Sequence, residues 1–342
     1  MKVLITGGTG YIGSHTIIEM IETGTFTPIC VDNCERSTPK TIERIESITG
    51  VRVPFYKLNI CDRDDFFRIF EENKDIVGII HFAAYKSVPE SVGKPLEYYR
   101  NNLQSLENVL EACVKFHIPN FIFSSSCSIY GEVETLPVDE NTQMGAPFCP
   151  YAHTKQIGEE MIRFFTQIHP HFNAVILRYF NPVGAHSSGL NGEFSPDKPN
   201  NLMPIITQVG IGKMEKLTVF GTDYNTRDGS CIRDYVHVSD IANAHVKALE
   251  MLIEKRNSAN CEVFNLGSGN GVSVLEMLHA FEDITGIKLN YTLGERRAGD
   301  IPAVYSNSAR AHTLLHWHCK FSIKDMVESA WKWEQHLQRE AH

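Results

Sequence analysis

The chain has 342 residues, 42% of them apolar and 21% charged, a balance that excludes a disordered or fibrous protein and allows a large packed core. Its 32 Lys and Arg against 41 Asp and Glu leave a formal charge of −9, which disfavours a general nucleic-acid or anionic-membrane surface and points to small-molecule partners. With no secretory apolar stretch and no membrane-length run, a cytoplasmic location is expected. Nine cysteines without a C-x-x-C pair read as scattered thiols, and the fifteen histidines lack the carboxylate or cysteine partners of a metal site.

Residues 2–6, 28–32, 53–58, 76–82, 120–125 and 174–179 are short β-branched runs that read as buried strands. Amphipathic stretches at 12–22, 62–72, 95–116 and 151–169 alternate with them, and this β-α-β order predicts an α/β fold with a Rossmann-type doubly wound parallel sheet. The first turn, Gly7-Gly8-Thr9-Gly10-Tyr11-Ile12-Gly13, leaves a strand and opens a helix. Its glycines let the backbone bend sharply and approach a pyrophosphate, which free N–H groups and the positive helix end would hold. Asp32 ends the second strand, where a carboxylate accepts both hydroxyls of an adenine ribose and repels a 2′-phosphate. NAD is therefore expected, while Arg36 close by keeps NADP open.

Phe121-Ile122-Phe123-Ser124-Ser125-Ser126 ends a strand in hydroxyls at the carboxyl edge, where such sheets place ligands. Tyr151-Ala152-His153-Thr154-Lys155 then sets a phenol and an ammonium one helical turn apart. A phenol titrates near about 10 in water, and both an ammonium and a nicotinium cation would lower that value, a physical reason for such a pair beside NAD.

From about residue 180 the texture changes. Residues 181–199, rich in Gly, Pro, Ser and Asn, read as a long functional loop, and helices at about 200–212, 239–254, 273–284 and 323–338 follow with a strand near 262–266. The expected division is an NAD-binding domain over 1–180 and a smaller C-terminal α/β substrate-binding domain over 181–342, its chain crossing back to the core at least once. The long helices at 95–116 and 151–169 offer outer apolar stripes, so a homodimer is expected.

In these motifs the chain resembles the extended short-chain dehydrogenase/reductase family, in the branch that inverts C4 of UDP-hexoses. The resemblance spans nearly the whole chain. It is most specific at residues 6–15, His81-Phe82-Ala83-Ala84-Tyr85-Lys86, 94–101, 124–131, 177–185, Asn200-Asn201-Leu202-Met203-Pro204 and 233–238. It implies Ser126, Tyr151 and Lys155 as the catalytic trio. It implies that Gly7, Gly10, Tyr11, Ile12, Gly13, Asp32, Asn33, Ser37, Asn59, Ile60, Phe82, Ala83, Ala84, Lys86, Asn101, Ser124, Tyr179 and Phe180 line NAD, together with Tyr151 and Lys155. A UDP-hexose would be held by Asn181, Asn201, Leu202, Phe220, Arg233, Arg297 and Asp300, with Lys86, Ser126 and Tyr151. The two arginines also suit a diphosphate on general grounds, since guanidinium forks match phosphate oxygens. The implied reaction is a transient C4 oxidation, in which Tyr151 as phenolate takes the 4-hydroxyl proton, NAD accepts the hydride, and the hydride returns to the opposite face.

Two positions depart from the family pattern. Asn59 stands where an Asp usually receives the adenine amino group, a bond that an amide carbonyl can still accept. Val304 stands where a bulky aromatic tends to exclude N-acetyl sugars, so some turnover of UDP-N-acetylglucosamine is expected. Related dehydratases carry an Asp-Glu pair after the strand-end Thr, whereas this chain has Cys127-Ser128. The remaining alternatives are a xylose or uronate 4-epimerase and a silent NAD-binding regulator.

Overall fold

Runs such as Val3-Leu4-Ile5 have no polar side, so they are stable only as strands covered on both faces, and they build the large sheet. The computed structural model describes residues 1–194, 196, 199–297 and 300–340. Residues 195, 197 and 198 of the loop expected at 181–199 lie outside the described residues.

The first half of the chain contains β1 (Lys2–Thr6), α1 (Tyr11–Thr23), β2 (Thr27–Asp32), α2 (Lys40–Thr49), β3 (Phe55–Lys57), α3 (Arg63–Glu72), β4 (Ile76–His81), α4 (Val88–Gly93), α5 (Pro95–Lys115), β5 (Asn120–Ser126), α6 (Pro150–Ile168) and β6 (Asn173–Tyr179). It continues with β7 (Asn181–Val183), α7 (Leu202–Gly210), β8 (Leu217–Phe220), β9 (Ile232–His237), α8 (Val238–Ile253), β10 (Cys261–Leu266), β11 (Gly271–Ser273), α9 (Val274–Thr285), β12 (Tyr291–Gly294), β13 (Ala303–Val304) and α10 (Ile323–Glu340).

Seven strands form a parallel sheet in the order β10-β6-β5-β4-β1-β2-β3. Successive residues point to opposite faces: Val3, Ile5, Ile80 and Ile122 enter one core, while Leu4, Ile79, Phe121 and Phe123 enter the other. The winding reverses between β1 and β4, and open α/β sheets bind ligands at the carboxyl ends beside such a reversal. Thr6, His81 and Ser126 end strands there.

Beyond residue 180 the chain returns to this sheet, as α8 packs on α1 and β10 pairs with β6. The remainder forms a smaller layer. There β11, β9 and β13 make a sheet that β7 joins through β9, β8 pairs with β12, and α7, α9 and α10 close a third core around Met203, Tyr235, Met277 and Phe281. All nine cysteines are free thiols. Among the described residues, no helix is long and apolar enough to cross a membrane, and no group of His, Cys, Asp or Glu has a metal-holding arrangement.

Candidate active site at the carboxyl edge of the large sheet

The turn after β1 is shaped by the absence of side chains. Gly7 has φ of +69°, and a Cβ there would lie 2.7 Å from the Ala83 nitrogen, while a Cβ on Gly13 would strike the Gly7 carbonyl. Gly10 caps α1 without a side chain, so the N–H groups of Tyr11, Ile12 and Gly13 have no acceptor within the helix. Across the cradle, Asp32 accepts from Thr9 N (3.2 Å), Cys34 N (2.8 Å) and the Ser37 hydroxyl (3.3 Å). Donors that suit an anion thus face a carboxylate that suits hydroxyls, the two chemistries a dinucleotide presents. Asn33 turns its carbonyl onto Glu35 N at 2.9 Å. Asn59 does the same to Cys61 N at 3.0 Å, which leaves its carbonyl a second lone pair. Buried Ile60 is fixed through its carbonyl by Asn108, and Asn101 donates to Asn102.

Ser126 ends β5 opposite Tyr179 of β6 and accepts from Ser128 N at 3.2 Å. Helix α6 starts at Pro150, with the Cys149 sulfur accepting from Ala152 N, so Tyr151 and Lys155 fall on one face in its first two turns. Lys155 is 6% exposed, and its ammonium donates to the Ser124 carbonyl at 2.6 Å, lying 6.0 Å from the Tyr151 ring centroid. Burial lowers Lys155 to about 8, against the pull of the Glu159 carboxylate one turn on. For Tyr151 the local balance differs from the expectation that the ammonium lowers its phenol. Desolvation raises it well above the ordinary tyrosine value, the Tyr179 phenol adds to the rise, and the Ser126 hydroxyl works the other way. The reason is burial, which disfavours the charged phenolate, while the ammonium that would oppose it is bonded to the Ser124 carbonyl.

Below this group lies a residue that spacing alone did not reveal. His245 of α8 has Nδ1 against the Ile241 carbonyl (2.8 Å) and Nε2 against the Ser124 hydroxyl (3.3 Å), and burial lowers it to about 4. Its ring packs on Phe82 at 4.6 Å and near Tyr179 at 5.9 Å. Ala83 N points to the Thr6 hydroxyl, Ala84 is partly buried, and Phe180 N is anchored on the Leu266 carbonyl. Asn102 clamps the neighbouring loop, accepting from Tyr85 N and donating to the Tyr85 carbonyl and the Thr154 hydroxyl.

The residues expected around the substrate fall into two groups. Arg233 donates to the carbonyls of Ile232 and Ile301 and lies 3.7 Å from Asp300, which also takes both forks of Arg297 (2.8 and 3.1 Å); the Arg297 guanidinium lies 5.7 Å from the Phe220 ring. In the other group, Lys86 and Asn201 meet on Glu193, at 2.9 and 2.6 Å. Glu193 is the second residue missed from sequence; it sits in the Gly-rich loop, and Trp333 of α10 holds its carbonyl at 2.9 Å. Leu202 opens α7 after Asn201, and Asn181 pairs with Tyr235 in the small sheet.

Residues 3–267 match the pattern of the NAD dependent epimerase/dehydratase family. The chain is 44% identical to the UDP-glucose 4-epimerase of Haemophilus influenzae over 335 residues, 98% of each chain. Among solved structures, it is similar to the UDP-glucose-4-epimerase of Stenotrophomonas maltophila with bound NAD and formylated UDP-arabinopyranose, with a TM-score of 0.95, 38% identity and 99% of both chains covered. It is likewise similar to the UDP-glucose 4-epimerase of Bifidobacterium longum in complex with NAD+ and UDP, with a TM-score of 0.93, 41% identity and 98% of both chains covered.

Proposed function

The chain belongs to the NAD dependent epimerase/dehydratase family, and on that premise we propose that it interconverts UDP-galactose and UDP-glucose by transient oxidation at C4. It is an NAD-dependent isomerase. The observation that carries this reading is the meeting of Ser126, Tyr151 and Lys155 at the carboxyl edge of the sheet, beside the glycine cradle.

The cradle fits NAD. Tyr11, Ile12 and Gly13 would supply N–H groups to the pyrophosphate, and Asp32 would take the adenine ribose. Bound NAD supplies the hydride acceptor for the sugar C4 and the donor for its return. Burial alone keeps Tyr151 protonated, so the nicotinium charge that bound NAD would add beside the Lys155 ammonium is what would favour its phenolate; as phenolate Tyr151 takes the proton of the 4-hydroxyl and gives it back, and Ser126 steadies that oxygen by hydrogen bonding. Lys155 fixes the strand end through the Ser124 carbonyl and brings positive charge near the phenol. Arg233 and Arg297, bridged by Asp300, form the diphosphate anchor, so the UDP end stays held while the hexose turns between the two half-reactions. In this reading the large sheet carries NAD and the smaller layer carries the UDP-sugar.

The wider sugar range rests on the family resemblance: Val304, buried in the main core on β13, takes less volume than the aromatic side chain it stands in for. UDP-N-acetylglucosamine should therefore be turned over, and Val304→Tyr should abolish that activity while keeping UDP-glucose; a wild-type protein inert on the acetylated sugar refutes this. The chain also forms a homodimer in this reading. Ile157, Met161, Phe164 and Ile168 make an i, i+4, i+7, i+11 stripe on α6, with Phe164 and Ile168 66% and 70% exposed.

The main reaction is tested by incubating the purified protein with UDP-galactose and no added nicotinamide. Formation of UDP-glucose is expected, with the NAD content unchanged; no conversion even after NAD is added overturns the assignment.

A further inference from the structure

Glu193 stands where the two layers meet. It lies in the Gly-rich loop between β7 and α7, and its Oε1 accepts from the Lys86 ammonium at 2.9 Å and from the Asn201 amide at 2.6 Å. Lys86 belongs to the loop after β4 of the large sheet, and Asn201 caps α7 in the smaller layer. One oxygen thus ties a cation of one layer to an amide of the other. The same carboxylate lines a crevice with Tyr11 of the glycine cradle, Met203 of α7 and Trp333 of α10.

Helix α10 holds Glu193 in that position. Buried Trp333 donates from its indole to the Glu193 carbonyl at 2.9 Å, and a Cβ on the preceding Gly192 would lie 2.5 Å from that ring. Upstream, Ala185 N donates to the Ser329 hydroxyl at 3.1 Å and Lys332 donates to the Ser187 carbonyl at 2.8 Å, so the loop is fastened along one helix. Arg44 of α2 lies 4.9 Å over the Trp333 ring and pairs with Glu340 at 2.7 Å, which ties α10 in turn to the NAD layer. The Glu193 side chain, 9% exposed, sits where this backbone puts it.

An exposed ion pair adds little by itself, and Lys86 keeps 60% of its side chain exposed. The second donor changes the picture. Asn201 holds the N-cap position of α7, where an asparagine ordinarily bonds its own helix, yet its side chain makes no cap bond and its amide goes to Glu193. An ammonium has three N–H bonds and a primary amide has two, so each donor can keep Glu193 and still offer an N–H to a ligand. On the premise of the UDP-hexose reading above, we propose that Glu193 is a positioning residue for the UDP-sugar, one carboxylate oxygen aiming Lys86 and Asn201 from the two layers at the same ligand. It acts through those two side chains.

The sign of the effect separates positioning from charge. Deleting a carboxylate by itself favours an anionic ligand, whereas lost positioning weakens the hold on it. Wild type, Glu193→Ala, Glu193→Gln, the Lys86→Ala/Asn201→Ala double variant and the triple Lys86→Ala/Glu193→Ala/Asn201→Ala variant are loaded with NAD and dialysed to equilibrium against UDP-glucose, and the bound uridine nucleotide is quantified. The dissociation constant should rise about tenfold in Glu193→Ala, the worth of one charge-assisted hydrogen bond, and by a smaller factor in Glu193→Gln, which keeps an acceptor for both donors. Between the double and the triple variant it should change by less than about twofold, since the groups Glu193 acts through are gone. In turnover of UDP-galactose the Glu193→Ala loss should fall on KM, with kcat within about threefold of wild type. An unchanged or tighter complex in Glu193→Ala overturns the proposal, as does an equal rise in both backgrounds, which would mark damage to the fold. Wild type that neither binds UDP-glucose nor converts UDP-galactose would instead defeat the UDP-hexose reading, and the inference with it.

Discussion

Lys155 shows the cost of the chemistry at a single residue. The folded chain binds its proton more weakly than the unfolded chain, where a lysine keeps the ordinary value of 10.5, because burial lowers the folded value to about 8. The buried ammonium therefore opposes folding below about pH 8, by roughly 3 kcal/mol, and the penalty fades as pH rises from about 8 towards 10.5. Lys155→Met removes the charge and keeps most of the volume. In urea unfolding, wild type should gain stability over this variant between pH 8 and 10.5, while the variant loses turnover by about a hundredfold or more at every pH. A stability difference independent of pH, or one that moves the other way, would show that the ammonium is at home where it lies.

At the scale of elements, α6, β5 and β6 are tied by a buried ion pair. Glu159 is 0% exposed and Arg178 is 2% exposed; they meet at 2.6 Å, and Glu159 also accepts from the Ser125 hydroxyl at 2.6 Å. Tyr130 and Asn265 extend the network to β10. Removing one partner of such a pair strands the other in low dielectric, so Glu159→Gln should cost about 3–5 kcal/mol, read as a fall in the urea midpoint, with Ser126 displaced as a consequence. A loss under about 1 kcal/mol would mean that Arg178 finds another partner.

Legibility from sequence follows the same division. The helices expected at 95–116 and 151–169 are observed at Pro95–Lys115 and Pro150–Ile168, since long amphipathic periods declare themselves locally. Short α2 and α4 and the small-layer strands were not anticipated. A two-residue strand such as β13 has no pattern of its own and exists only because β9, far back in the chain, accepts it. The glycine cradle and the Tyr-x-x-x-Lys pair are local spacings, hence readable. Glu193 and His245 join the site through Lys86 and Ser124, 107 and 121 residues away, and no spacing rule reaches that far.

For the whole molecule, a net charge of −9 is compatible with the proposed binding of a doubly anionic UDP group because Asp300 gathers two guanidinium groups, Arg233 and Arg297, at one place. The exposed stripe on α6 belongs to this scale as well. Light scattering should give twice the chain mass for wild type and the single mass for Phe164→Glu/Ile168→Glu; a monomeric wild type would remove the dimer from the picture. The proposed reaction turns on one event, the passage of a proton through the Tyr151 hydroxyl. The most direct measurement is turnover of UDP-galactose by Tyr151→Phe, with bound NAD and UDP quantified in the same preparation. Turnover should fall about 10²- to 10⁴-fold with both ligands still held, and a variant that works at the wild-type rate would contradict the assignment.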